Sequence, residues 1–275
     1  MARRLKLLTE LSTLALSGAL ALGACGGEGE GGGEGAQTAA HGSHGAGGEA
    51  EGEGAKAGAG GESEGAALGA DPATDDVAYL TQLLLVRGHL KAFYELHSAG
   101  AAELAAAHAK HPESELYTGL VPAFAARGKE GFAAELAALS DAHGASGDID
   151  AAYENLRAGI TRVEPATVLK NKILAVARVA RIAADEFDVA TEDDGAIGNV
   201  KEYQDAYGFL SVSKDLLASA APANADERAA FAEAIAQLDG VLAQFDGWTP
   251  PSTPMKASAI YGAAARIEIA GLGLG

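Results

Sequence analysis

Apolar positions after residue 71 recur at helical spacing. Between Asp71 and Ser98 they follow steps of seven, four, three and four residues, which places on one helix face Tyr79, Val86, Leu90, Phe93 and His97. The acids and capping residues at 71–76 suit the start of this helix, and Gly100 suits its end. A short second helix is predicted over 101–110. Because no stretch of 71–275 alternates convincingly with a period of two, the pattern predicts an all-α fold.

The rest of the chain repeats this pattern between breaks rich in Gly and Pro. Further helices are predicted over about 113–127, 129–143, 148–163, 166–190, 199–219, 224–245 and 254–271. The predicted fold is therefore a multi-helix bundle of about eight or nine helices over 71–275, with possible halves 71–163 and 166–275. The last segment carries Arg266 and Glu268, which favours a packed core helix over a membrane span.

The first 24 residues have the pattern of a bacterial export signal. Basic residues precede the apolar stretch 11–24, which is too short to cross a bilayer comfortably. The sequence Leu-Gly-Ala-Cys at 22–25 resembles the lipobox of bacterial lipoproteins, which implies cleavage before Cys25 and lipidation of its thiol. Gly26 follows the cysteine, and the lack of Asp there implies an outer-membrane rather than inner-membrane destination. The alternative is an ordinary secretory signal with a chance cysteine.

The segment 25–70 has a low-complexity composition. Of the 45 residues from Gly26 to Ala70, 18 are Gly and 8 are Glu, with no aromatic residue. Such a sequence buries too little apolar surface to offset chain entropy, so it is predicted to be a disordered tether. The net charge of −18 also argues against nucleic acid as a partner, because a phosphate backbone requires clusters of Lys and Arg.

Five of the seven histidines lie between positions 89 and 143. His108 and His111 are three residues apart and so share one helix face. A hairpin at 98–100 would bring His89 opposite them, with His97 nearer the turn. Imidazole rings gathered in this way can bind iron, copper or zinc.

We therefore predict a metal site formed by His89, His108 and His111, with Glu115 as fourth ligand and His97 as a neighbour of the ligands. Iron is expected first, and copper or zinc second. Because a protonated imidazole cannot coordinate, binding should weaken below about pH 6.5. The alternative is that these histidines pack in the core or cap helix ends. Imidazole nitrogens within about 5 Å of a common point would favour the metal site.

A second group of candidate ligands flanks the loop at 189–199. Glu186 precedes the loop, and Glu202 and Asp205 follow it on one helix face, with Tyr203 beside them. Carboxylate oxygens suit iron(III), calcium or manganese. The alternative is a solvated acidic loop next to ordinary acids of a helix N-terminus.

The segments 183–190, 195–199 and 202–209 resemble a helix–loop–helix signature of extracytoplasmic regions attached to bacterial high-affinity iron permeases. A Glu followed by an aromatic residue precedes the loop in that signature, and a Glu-Tyr-acid pattern follows it. The matching positions here are Glu186, Glu202, Tyr203 and Asp205, so the resemblance implies that they serve in iron binding. Phe187 stands where the signature usually has Tyr.

Similarity to imelysin-type periplasmic iron proteins is weaker. Their signature is His-x-x-Glu, and His89 would be its natural first residue. Ala92 stands where the glutamate is required.

Two metal-site motifs of helical enzymes are missing from the sequence. It contains no Glu-x-x-His pair and no His-Glu-x-x-His. We therefore expect a non-enzymatic, membrane-anchored extracytoplasmic lipoprotein that binds metal for iron or copper acquisition, or for delivery to a permease. The alternative is a structural or adaptor lipoprotein of the envelope that docks a partner protein. A helical enzyme, the third possibility, would require a deep cleft with perturbed titratable groups.

Overall fold

The computed structural model describes residues 69–111, 116–145 and 147–275, with only the backbone of Lys110 and His111. The predictions for the signal peptide, Cys25, the tether and Glu115 lie outside these residues. The described residues form nine helices: α1 (Asp76–Ser98), α2 (Ala102–His111), α3 (Thr118–Ala126), α4 (Ala133–Gly144), α5 (Ile149–Val163), α6 (Leu169–Ala190), α7 (Val200–Ala218), α8 (Ala225–Leu242) and α9 (Ala257–Leu272). Within the described ranges the only β-type pairing is an isolated bridge between Thr191 and Ile197. The all-α prediction is confirmed.

The ends of α1 follow from local chemistry. The Asp75 side chain accepts a hydrogen bond from the Ala78 amide at 2.6 Å, which caps the helix start. Gly100 has φ of +79°, a left-handed conformation that favours glycine and turns the chain into α2. The predicted hairpin is therefore present, with α2 packed against α1.

Helix α1 lies at the centre of the bundle. Four consecutive residues, Leu83 to Val86, are each at most 1% exposed, so the helix is covered on all sides. It packs against α2, α6 and α7, which places helices from both sides of the 163–166 boundary in contact. Helix α9 packs against α6 and buries Ile260 and Ile267, which confirms it as a packed core helix. No described helix is long and apolar enough to cross a membrane.

Two glycines allow α1 and α7 to approach closely. A Cβ atom on Gly208 would lie 2.7 Å from the backbone oxygen of Gly88, a separation that real side chains essentially never show. A Cβ on Gly88 would in turn collide with the ring of Phe209. Because neither residue has a side chain, the helix backbones pack directly against each other. His89 follows one of these glycines, and Asp205 lies one turn before the other.

Candidate metal centre

Three buried polar side chains from three helices meet in the bundle. His89 comes from α1, His108 from α2 and Asp205 from α7, and each is at most 1% exposed. One potential ligand atom from each residue lies within 4.8 Å of the other two. In the described part of the chain this is the only group of three or more His, Cys, Asp or Glu residues with such geometry. The group can hold a metal ion.

One carboxylate oxygen is shared by both imidazoles. Oδ1 of Asp205 lies 2.5 Å from Nδ1 of His89 and 2.9 Å from Nδ1 of His108. Burial by itself raises the pKa of Asp205, but the charges and hydrogen bonds of the two histidines outweigh burial and hold that pKa well below its usual range. Phe209 packs edge-on against the His89 ring, with centroids 4.9 Å apart, so the ring is enclosed on its apolar side. The site is a buried carboxylate with two imidazole nitrogens at one of its oxygens.

Gln204 fixes the second nitrogen of His108. Its Oε1 lies 2.9 Å from His108 Nε2, while its own Nε2 donates to the Trp248 carbonyl at 3.1 Å. Because the amide nitrogen is engaged by Trp248, the amide oxygen must face the histidine. His108 Nε2 then carries the proton and donates it, which directs the lone pair of Nδ1 towards Asp205.

His108 consequently has an acceptor oxygen facing each ring nitrogen. A neutral imidazole has only one N–H, so it can satisfy one of these acceptors and not both. A positive charge between Nδ1 and Asp205 Oδ1 resolves the conflict, supplied either by a second proton or by a metal ion. Hydrogen bonding of the distal nitrogen to a fixed acceptor is typical of histidines that bind metals.

Tyr203 supports this arrangement indirectly, through hydrogen bonds to the loop that contains Trp248. Its hydroxyl lies 3.2 Å from the Gly247 carbonyl and 3.3 Å from the Thr249 carbonyl, and it accepts from the Asp246 amide at 3.2 Å. These bonds hold the loop that carries Trp248. The sequence prediction placed Tyr203 beside the metal ligands, whereas the hydroxyl instead binds the loop to which Gln204 is anchored.

The remaining predicted acids lie on the other side of Asp205. Glu186 and Glu202 are buried, at 2% and 7% exposed, but neither belongs to the group with the two histidines. Lys201 lies among them, with its Nζ 3.5 Å from Glu202 Oε1 and 3.7 Å from Asp205 Oδ2. Burial lowers the pKa of Lys201, but attraction to Asp205, Glu202 and Glu186 more than compensates, and that pKa is raised. Asp205 therefore belongs to both predicted groups of ligands: it contacts the histidines on one side and lies near the remaining acids on the other.

The structure separates His97 from the candidate centre. His97 lies in the last turn of α1, where its ring is 5.3 Å from that of His143 and 6.0 Å from that of Phe93. The side chains of His111 and Glu115 are outside the described residues, so their predicted ligand roles stay predictions. The proximity of His89 and His108 is confirmed.

Sequence reasoning missed Gln204 and the glycine contact. A glycine inside a predicted helix weakens it and often marks a close approach, and Gly88 and Gly208 both carried this signal. Gln204 had no comparable signal, because its role depends on Trp248, far along the chain.

No protein-family model matches the chain, and no curated protein or solved structure matches it significantly. The similarity to permease-associated helical regions stays a prediction.

Proposed function

We propose that this protein binds and carries a transition-metal ion at the centre formed by His89, His108 and Asp205. The observation that carries the proposal is the meeting of three buried ligand atoms within 4.8 Å of one another. The two acceptors around His108 support it, because they require a cation or an additional proton. A metal site is favoured by imidazole nitrogens within about 5 Å of a common point, and two of the three predicted histidines, His89 and His108, meet that requirement.

The donor set favours iron first, and copper or zinc second. Two imidazoles and one carboxylate are donors of intermediate softness, typical of iron(II) sites with open coordination positions and also found for zinc and copper. Calcium and magnesium prefer oxygen ligands alone. The resemblance of 183–209 to permease-associated regions adds support for iron.

The proposed role is carriage, storage or delivery rather than catalysis. The large grooves of the described bundle, of about 510 and 740 Å³, are lined by other residues, and the three ligands are buried. An enclosed site suits retention of an ion better than access by an organic substrate. A lipid anchor at Cys25 and the tether after it would hold the bundle outside the cytoplasm, at the outer membrane, within reach of a metal permease.

A second candidate function is docking of an envelope protein. Val168, Ile269 and Leu272 are 63%, 70% and 61% exposed, and Lys170 Nζ bonds the Leu274 carbonyl at 2.6 Å, which brings these segments together. Exposed apolar side chains on neighbouring segments suit a protein contact. Such a contact is compatible with delivery of metal to a partner.

The test is the metal content of the full-length chain purified from membranes of its native host. We expect about one transition-metal ion per chain, with iron predominant, as the three-ligand centre implies. A matched preparation of the variant His89→Ala with His108→Ala should be depleted of that metal while its far-ultraviolet circular dichroism stays helical. Equal metal content in both preparations would refute the proposal.

A further inference from the structure

Lys201 places a permanent positive charge beside the candidate centre. The residue lies in the first turn of α7, one turn before Asp205, and its side chain is 34% exposed. Its ammonium faces Oδ2 of Asp205, while Oδ1 of the same carboxylate faces the two imidazoles. The carboxylate of Asp205 therefore lies between the ammonium of Lys201 and the metal position.

Carboxylates hold the ammonium of Lys201 beside the metal position. Its Nζ lies 3.5 Å from Glu202 Oε1 and 3.7 Å from Asp205 Oδ2, and Glu186 also attracts it. The positive charge of Lys201 offsets part of the negative charge that Asp205 presents to a bound ion. Because an excess of charge is costly in a buried setting, the ammonium disfavours a trivalent ion more than a divalent one.

We propose that Lys201 makes the centre selective for a divalent over a trivalent ion, and thus for iron(II) over iron(III). This inference rests on the proposed function, because it assumes that His89, His108 and Asp205 bind the ion. The ammonium repels an ion of higher charge more strongly, since the Coulomb energy scales with the product of the charges. Glu202 Oε1, 3.5 Å from the Lys201 Nζ, keeps the ammonium close enough for this repulsion to act.

The test compares three full-length proteins loaded with iron: the native chain, Lys201→Gln and Lys201→Arg. Gln removes the charge from a partly exposed side chain, and Arg retains it as the matched control. The measured quantity is the reduction potential of the bound iron, which reports the ratio of the affinities for iron(II) and iron(III). We expect Lys201→Gln to favour iron(III) by roughly tenfold, a negative shift of about 59 mV for a one-electron couple. Lys201→Arg should stay near the native value.

The outcomes separate this inference from the proposed function. Failure of the native chain to bind iron, cobalt(II) or zinc would refute the proposed function itself. Binding with an unchanged potential in Lys201→Gln would refute the role of Lys201 and leave the metal centre in place. An equal shift in Lys201→Gln and Lys201→Arg would also overturn the inference, because it would trace the effect to side-chain shape. If Lys201→Gln unfolds, Lys201→Met provides the same loss of charge with a more apolar stem, and its potential is expected to shift in the same direction.

Discussion

Two pairs of histidines in this bundle meet with similar ring spacing but in different surroundings. The rings of His89 and His108 are 6.4 Å apart, and those of His97 and His143 are 5.3 Å apart. The first pair is buried and shares a carboxylate oxygen of Asp205. The second pair is half-buried, and in the described part of the chain neither Nδ1 atom has a hydrogen-bond partner.

The difference indicates why the first pair is the better candidate for a metal site. The first pair has a negative charge from a third helix, and Gln204 orients one of its rings. The second pair is packed against Phe93, with a ring contact of 5.1 Å to His143. An ion at the second pair would be a partly buried charge, and no carboxylate of the described residues is grouped with these two histidines to balance it.

The largest expected effect comes from removing each pair in turn. His89→Ala with His108→Ala should weaken zinc binding by more than about 100-fold, because it removes both nitrogen donors. His97→Ala with His143→Ala should leave the affinity near the native value. Isothermal titration of the full-length chains with zinc measures both. Equal losses in the two double variants would show that the comparison is wrong.

The next largest effect is expected from changing the contact between α1 and α7 that positions Asp205 beside His89 and His108. Gly208→Ala would force a methyl group against the Gly88 carbonyl, so we expect destabilisation by about 1–3 kcal/mol and weaker metal binding. Gly240→Ala is the matched control, since Gly240 lies on the exposed face of α8 with no atom within 4 Å of the added Cβ, and it should stabilise by about 0.5–1 kcal/mol. Urea unfolding gives both free energies. A neutral result for Gly208→Ala would mean that close packing of α1 and α7 does not position Asp205.

A smaller effect tests the orientation of His108. Gln204→Leu removes the acceptor for His108 Nε2, and zinc affinity should fall by about tenfold, as for other partners of ligating histidines. Gln244→Leu is the control, because that exposed side chain donates to the Gly240 carbonyl at the end of α8, away from the candidate centre. Unchanged affinity in Gln204→Leu would argue that the ring is held by packing alone.

The smallest effect concerns the loop behind Gln204. Burial raises the pKa of the Tyr203 hydroxyl to about 12, with smaller contributions from its neighbours. The folded state therefore keeps a proton that the unfolded chain loses near pH 10, so this contribution to stability is present below pH 10 and disappears as the pH rises towards 12.

Tyr203→Phe should cost about 1 kcal/mol at neutral pH and lose less stability between pH 9 and pH 11.5 than the native chain does. Urea unfolding at the three pH values measures this difference. Identical alkaline losses in the two proteins would assign the effect to other tyrosines.

Periodicity and capping were enough to predict the helices of the first hairpin. The apolar stripe of α1, the cap at Asp75 and the turn at Gly100 all act locally, so His89 opposite His108 could be predicted from the chain. The proximity of these histidines to Asp205 could not be predicted in this way. It depends on packing between α1 and α7, which are more than 100 residues apart in sequence, and local spacing carries no information on that contact.

The central claim is that one ion binds between two imidazoles and one carboxylate. X-ray absorption spectroscopy of the iron-loaded full-length chain tests it most directly, because it counts the histidine ligands around the bound ion. The account predicts one ion per chain with two imidazole ligands, and loss of that signal in His89→Ala with His108→Ala. A spectrum without imidazole scattering, or an unchanged spectrum in that variant, would contradict it.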